Sequence, residues 1–316
     1  MSIQNKWFIA FSFLLLAACS RSAPPIQTDY PVSRISERVY VIHGPNEMPN
    51  RENQTFMNNP GFVLTHQGVV VIDPGSSLRV GELVLKKIAS VTNDPVVAVF
   101  NTHIHGDHWL GNAAVRRAFP KAVIYAHPKM KDRAPGEGPN WINLMNQLSE
   151  GGAKGTETVA PNMGIDHDET LALGGVHFRI HHNGKAHTDG DIMVEVVEEQ
   201  VMFLGDNAIV GRVGRMDDGD FKGNVAALEL ALKAGTRHFV PGHGPSNGRA
   251  VAEGYRDYLR ALYGSVKKYY GQGLSDFDMK PKVAADLSKF QAWKDFEDQL
   301  GRHVSLAYLQ VEAEAF

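Results

Sequence analysis

The sequence predicts an α/β protein in which sheet strands are covered by helices. Three observations carry the prediction. Short apolar runs such as Pro95-Val-Val-Ala-Val-Phe100 are too continuous for half-exposed strands and read as buried ones. Stretches with apolar residues at helical spacing lie between them. The strand, loop, helix, strand order from Pro95 to Ala126 is the arrangement an α/β sandwich needs.

The chain begins with a single charge, Lys6, and twelve mostly apolar residues from Trp7 to Ala18. This is the pattern of a secretory signal and is too short to span a membrane. Leu16-Ala-Ala-Cys19 resembles the bacterial lipoprotein cleavage box, in which Cys19 becomes the lipid-bearing first residue, and Ser20 after it resembles outer-membrane sorting. Cys19 is the one cysteine, so neither an intrachain disulfide nor a second thiolate is available. The expected organisation is a signal over 1–18, a tether over 19–29 with Pro24-Pro25, and a domain over 30–316 ending in a helical extension. Losing Lys6 with the signal moves the formal charge from −3 to −4, which gives no nucleic-acid footprint. The expected location is the periplasmic side of the envelope, held at the membrane through Cys19.

Val39-Tyr-Val-Ile-His43 predicts a first strand, and Gly44 to Pro60 a loop or hairpin near the mouth of a site. Gly61–Thr65 and Gly68–Asp73 are strands joined at a turn, the second closed by Asp73-Pro-Gly75. Leu83, Val84, Ile88 and Val91 mark a helix over 78–91. After the buried strand comes Asn101-Thr-His-Ile-His-Gly-Asp-His-Trp-Leu-Gly-Asn112, then a short helix over 111–119 and a strand over 121–126. From His127 to Asp166 the pattern fades, with Lys and Pro prominent and one helix possible over 141–148; this is a lid or an insertion. Trp141, Met145 and Leu148 are either an apolar substrate wall or plain packing.

Strands follow over 169–173 and 176–181 around Gly174-Gly175, then 192–197 and 201–206. A helix is expected over 221–234, a short strand from His238 into Pro241-Gly-His-Gly-Pro245, and a long amphipathic helix over 251–270. The segment 271–282 reads as a connector and 295–314 as a closing helix.

The loop at 101–112 holds four ligand-type residues, His103, His105, Asp107 and His108, within six positions. Residues two apart in an extended segment point the same way, so His103 and His105 can reach one ion. Gly106 lets the chain turn, after which Asp107 and His108 can face a second point close by. Imidazole and carboxylate suit zinc, and also iron or manganese. The ligands are expected between the end of a strand and the start of the next helix.

His-x-His-x-Asp-His behind a buried strand resembles the signature of the metallo-β-lactamase superfamily. The resemblance implies a four-layer αββα sandwich with a metal site at the edge between two sheets. It further implies His187 as the third ligand of the first ion, ahead of its neighbours His181 and His182, Asp206 as a bridging carboxylate, and His243 as the last ligand. His103, His105 and His187 would hold one ion and Asp107, His108 and His243 the other, with Asp107 also the candidate catalytic carboxylate. Asp73 is a supporting carboxylate or only a turn residue. His66, His127, His167, His177, His238 and His303 are expected to be structural.

Two zinc ions in such a site lower the pKa of water to about 7 and generate hydroxide at neutral pH. The implied function is hydrolysis of an ester, thioester, lactone or amide-type bond in a small-molecule substrate. Asp at 206 resembles thioesterases and lactonases rather than true β-lactamases, which carry Cys or Ser there, and the chain is similar to exported metallo-hydrolases of sulfur-oxidation and quinoprotein systems. Two alternatives stand beside this: a mononuclear iron persulfide dioxygenase using His103, His187 and Asp206, and a lipid-anchored, metal-containing binding protein.

Overall fold

The computed structural model describes residues 23–315; the expected signal and Cys19 lie outside them. Strands β1 (Val32–Arg34), β2 (Val39–Ile42), β3 (Gly61–Thr65) and β4 (Gly68–Ile72) run antiparallel in sequence. Helix α1 (Leu78–Ala89) then crosses back, and β5 (Val96–Phe100) pairs parallel with β4. One turn, α2 (Gly106–Trp109), and α3 (Asn112–Ala118) lead to β6 (Val123–Ala126). Helix α4 (Pro128–Leu148) precedes the short β7 (Met163–Gly164), which completes a seven-stranded sheet in sequence order.

The second sheet has five strands in the order β12-β11-β10-β9-β8. They are β8 (Thr170–Leu173), β9 (Val176–His181), β10 (Met193–Val196), β11 (Val201–Phe203) and β12 (His238–Val240). Helix α5 (Phe221–Lys233) links the last two, and α6 (Ala250–Tyr270), α7 (Asp276–Asp286) and α8 (Phe296–Glu314) follow.

Burial places these in four layers. Val63, Val70, Ile72, Ala98 and Phe100 of the first sheet meet Phe178, Ile180, Val194 and Phe203 of the second in one buried cluster. On the outer face of the first sheet, Val80, Val84 and Ile88 of α1 pack on Val69, Val71 and Val99. Outside the second, Met202 and Phe239 pack under Phe221, Tyr255, Leu259, Leu300 and Val304 of the C-terminal helices. The αββα sandwich follows from strands with two apolar faces, each needing a cover.

Four segments differ from the sequence reading. The metal loop is not helix-free: Gly106 to Trp109 closes a turn, with the Leu110 amide donating to the Gly106 carbonyl. Residues 128–148 form one long helix despite Pro135 and Pro139, each of which removes a backbone bond. The helix is held by packing of Met130, Ala134 and Met145 under the loop, and by Arg133, which bonds Glu137 at 2.7 Å and Asp189 at 2.6 Å. The supposed connector contains α7, whose start is fixed by Ser275 accepting from the Asp278 amide. Residues 23–29, expected as a tether, lie along the domain: the Ala23 amide donates to the Lys154 carbonyl, and Ile26 packs against the cluster on the outer face of the first sheet.

His303 is structural, as expected from the sequence. Its Nε2–H donates to the Gly214 carbonyl at 2.8 Å, and Nδ1 accepts from the Tyr258 hydroxyl at 2.9 Å. Burial pushes its pKa from 6.5 down to about 4. The unfolded chain therefore takes up this proton first, and stability falls as pH drops through the window from 6.5 to 4. This one group costs about 2 kcal/mol between pH 8 and pH 5. Urea unfolding at the two pH values should show that loss shrinking in His303→Gln.

Candidate metal centre

The site forms where strands of both sheets end. From the first sheet, β4 ends at Asp73, which adopts a left-handed φ of 51° at the turn. Beyond β5, Asn101 and Asn112 exchange amide hydrogen bonds of 3.2 and 2.8 Å, and the Trp109 indole donates to the Ile104 carbonyl at 2.7 Å. These bonds fix the loop that projects His103, His105, Asp107 and His108. Gly106 is required there by crowding, since a Cβ would meet Trp141 Cβ of α4 at 2.7 Å.

The second sheet supplies the rest. His187 lies between β9 and β10, and its amide donates to Asn207 Oδ1 at 3.4 Å. Asp206 sits in the single turn Gly205–Asn207 after β11, and His243 in the Pro241-Gly-His-Gly turn after β12. Asn59 from the 44–60 loop binds that turn, donating to the Pro241 and Gly244 carbonyls at 2.9 and 2.7 Å.

Two groups of ligand atoms result, each within 4.8 Å: His103, His105, His187 and Asp206, and Asp107, His108, Asp206 and His243. Asp206 belongs to both. Its Oδ2 lies 3.6 Å from His187 Nε2 and 4.0 Å from His103 Nε2, while Oδ1 lies 3.1 Å from His108 Nε2 and 3.3 Å from His243 Nε2. His105 Nδ1 faces His187 Nε2 at 3.0 Å. Each predicted ligand is in one of the two groups.

The donor set fits metal ions. His103 Nε2, His108 Nε2 and Asp206 Oδ1 are buried without a hydrogen bond, a costly state unless something else satisfies them. The opposite ring nitrogens are held: His103 Nδ1 by Thr102 Oγ1 at 3.0 Å, His108 Nδ1 by Asp73 Oδ2 at 2.8 Å, and His243 Nδ1–H by the Met57 carbonyl at 2.8 Å. Such partners orient imidazoles so that the other nitrogen meets an ion. Asp73 also accepts from the Thr102 amide at 2.8 Å and the Thr102 hydroxyl at 2.7 Å, so its carboxylate both shapes the turn and braces His108. The two clusters are consistent with two metal ions.

Electrostatics without ions point the same way. Burial, and then His108 beside it, hold His103 far below the usual imidazole range, and burial with His105 takes His187 down to about 3. Burial opposes charge on His243, yet Asp206 and Asp107 outweigh it and raise the ring to about 9. Burial likewise disfavours ionised Asp107 and Asp206, but the neighbouring His108 and His243 pull both well below the carboxylate range. The centre thus keeps its carboxylates ionised and holds protons only where ions would replace them.

Other side chains fall outside the two groups. His181 Nε2 pairs with Glu195 at 2.7 Å, and His182 Nδ1–H donates to the Asp191 carbonyl at 2.7 Å. His127, Asp166 and His182 form a separate group; His127 Nδ1 is occupied in accepting the Lys129 amide that caps α4. Sequence reasoning missed Asp218, whose Oδ2 accepts from His105 Nε2 at 3.1 Å and fixes that ring. The acidic run Asp217-Asp218-Gly-Asp220 was the available signal.

The sequence profile of the metallo-beta-lactamase superfamily matches residues 54–243, which span all seven proposed ligands. The chain belongs to this superfamily. A hydroxyacylglutathione hydrolase of Acaryochloris marina is 39% identical over 85 residues, covering 26% of this chain and 31% of that protein. Another, from a Synechococcus strain, is 30% identical over 149 residues, 47% of each. The chain thus spans less than half the length of these two relatives. A probable metallo-hydrolase of Streptococcus pyogenes is 25% identical over 60% of this chain and 79% of its own length. Among solved structures, a metallo-beta-lactamase from Pontibacter korlensis superposes with a TM-score of 0.59 at 22% identity, over 73% of this chain and 99% of that one. The sec-alkylsulfatase Pisa1 from Pseudomonas sp. gives 0.70 at 16% identity, over 89% and 50%. These likenesses establish the superfamily fold, and the two clusters within it are consistent with hydrolytic chemistry.

A cavity of about 200 Å³ opens over both clusters. His105, Asp107, His187, Asp206 and His243 form its floor; α4, the 44–60 loop and the 209–218 segment with Arg212, Arg215, Asp217 and Asp218 form its walls. The sequence reading left Trp141, Met145 and Leu148 between substrate wall and packing. All three line the cavity, Met145 also being buried.

Proposed function

We propose that this chain is a dinuclear, zinc-dependent hydrolase that cleaves an ester, thioester, lactone or amide-type bond. The sharing of Asp206 between two complete ligand clusters beneath one cavity supports it most directly. His103, His105 and His187 would hold one ion and Asp107, His108 and His243 the other, with Asp206 between them. Bound there, two zinc ions would supply Lewis-acid polarisation of the carbonyl and a lowered pKa for water.

The chain's own residues do the rest. Asp107 engages His108 and His243 through Oδ2, at 3.4 and 3.1 Å, which leaves Oδ1 to orient the attacking water. The water oxygen bonds to the acyl carbon, the carbon–oxygen, carbon–sulfur or carbon–nitrogen bond breaks, and a proton reaches the leaving group. The second cluster favours this reading over a mononuclear iron centre, which would leave Asp107, His108 and His243 without a task.

Elemental analysis of protein purified without added metal should give near two zinc per chain. Cleavage of acyl substrates should disappear on chelation and return with zinc. One iron per chain with no hydrolysis would overturn the proposal. Export and lipid attachment at Cys19 belong to the same proposal and rest on sequence alone; labelled fatty acid should enter the wild-type chain and be absent from Cys19→Ala.

A further inference from the structure

Part of the cavity wall is apolar, unlike the floor. Trp141, Leu144, Met145 and Leu148 of α4 form one side, and Met48 and Met57 of the 44–60 loop face it. Positions 141, 145 and 148 are four and three residues apart, which aligns them on one helix face over about 10 Å of axis. Trp141 sits at the inner end, its ring 5.2 Å from that of His105. Leu148 and Met48 stand at the outer end, each 40% exposed although apolar. Exposed apolar side chains at a cavity mouth, continuous with an apolar wall, mark a surface that a ligand covers.

The two arginines that line the cavity each have an aspartate partner at Nε. Arg212 Nε bonds Asp295 at 2.5 Å, and Arg215 Nε bonds Asp217 at 2.8 Å, with Arg302 on the same carboxylate. A substrate bearing several carboxylates, such as a glutathione thioester, would meet Asp217 and Asp218 beside these arginines and would leave the apolar wall uncovered. We propose that the substrate carries an unbranched apolar acyl chain that lies along α4 from Trp141 to Leu148, with its scissile carbonyl over the metal centre. This rests on the acyl-hydrolase reading above and narrows it to apolar acyl esters and thioesters.

Burial of each methylene against such a wall raises kcat/KM about fourfold. The test uses zinc-loaded protein and a series of esters with one leaving group, from acetyl to decanoyl, beside a short-chain acyl glutathione thioester. The expected result is a stepwise rise with chain length that levels once the chain passes Leu148. The octanoyl-to-acetyl ratio of kcat/KM should fall at least about tenfold in Leu148→Glu, which places a charge on the outer wall. Leu148 is exposed enough for that variant to fold. A second reading needs no turnover: n-octanol should shift the tryptophan fluorescence of the wild type and not that of Trp141→Phe.

A flat series with no fluorescence shift overturns the inference while leaving hydrolysis intact, and so does a preference for the glutathione thioester. Octanol binding at Trp141 without cleavage of any acyl compound supports the apolar wall and overturns the acyl-hydrolase reading alone.

Discussion

Replacing Asp206 by Ala should reduce bound metal from about two ions per chain to one or none and lower kcat/KM at least about 10³-fold. Among the described residues it alone belongs to both clusters, and its two oxygens lie within 4.0 Å of His103, His108, His187 and His243. Without it, five imidazoles share the space with Asp107, while Asp73 and Asp218 reach only the outer nitrogens of His108 and His105. Elemental analysis reads the metal loss and steady-state kinetics the activity. Asp206→Asn keeps the volume and removes the charge, so a similar loss there would show that charge rather than packing holds the ions. Full metal content in Asp206→Ala would remove the bridging role.

The next largest effect is expected at Gly242, a position with no chemistry of its own. A Cβ there would stand 1.8 Å from Asp206 Oδ1 and 2.9 Å from the Gly205 carbonyl carbon. The obstacle includes backbone, so Gly242→Ala must push the Asp206 turn away from the ions. Metal affinity should fall about 10- to 100-fold, as when a ligand's supporting contacts are lost. Gly264 in α6 is the control. A Cβ there meets nothing within 4 Å, and Gly264→Ala should stabilise the chain by about 0.5–1 kcal/mol. Isothermal titration of zinc into the chelated proteins checks the first, and urea unfolding the second.

His103, His105, Asp107 and His108 were legible from their spacing in one loop after an apolar strand, whereas His187, Asp206 and His243 came from the superfamily resemblance, each in a loop that follows a strand. What braces them was not legible. Asp218 supports His105 from 113 residues away, and Asn59 ties down the His243 turn from more than 180 away. Such pairings appear only once the sheets face each other. Helix α4 was hidden for another reason: Pro135, Gly136, Gly138 and Pro139 argue locally against helix, and tertiary packing together with Arg133 overrides them. Asp73 was ambiguous because a turn carboxylate and a brace look alike in sequence; its left-handed backbone serves the first role while its oxygens serve the second.

The proposed ligands are divided between the sheets: His103, His105, Asp107 and His108 follow a strand of the first, and His187, Asp206 and His243 follow strands of the second. Metal ions held there act as rivets across the sandwich. Their binding energy is available only to the folded chain, so it adds to resistance against unfolding by mass action. The lifetime of this protein against proteases is thereby tied to the supply of free metal around it.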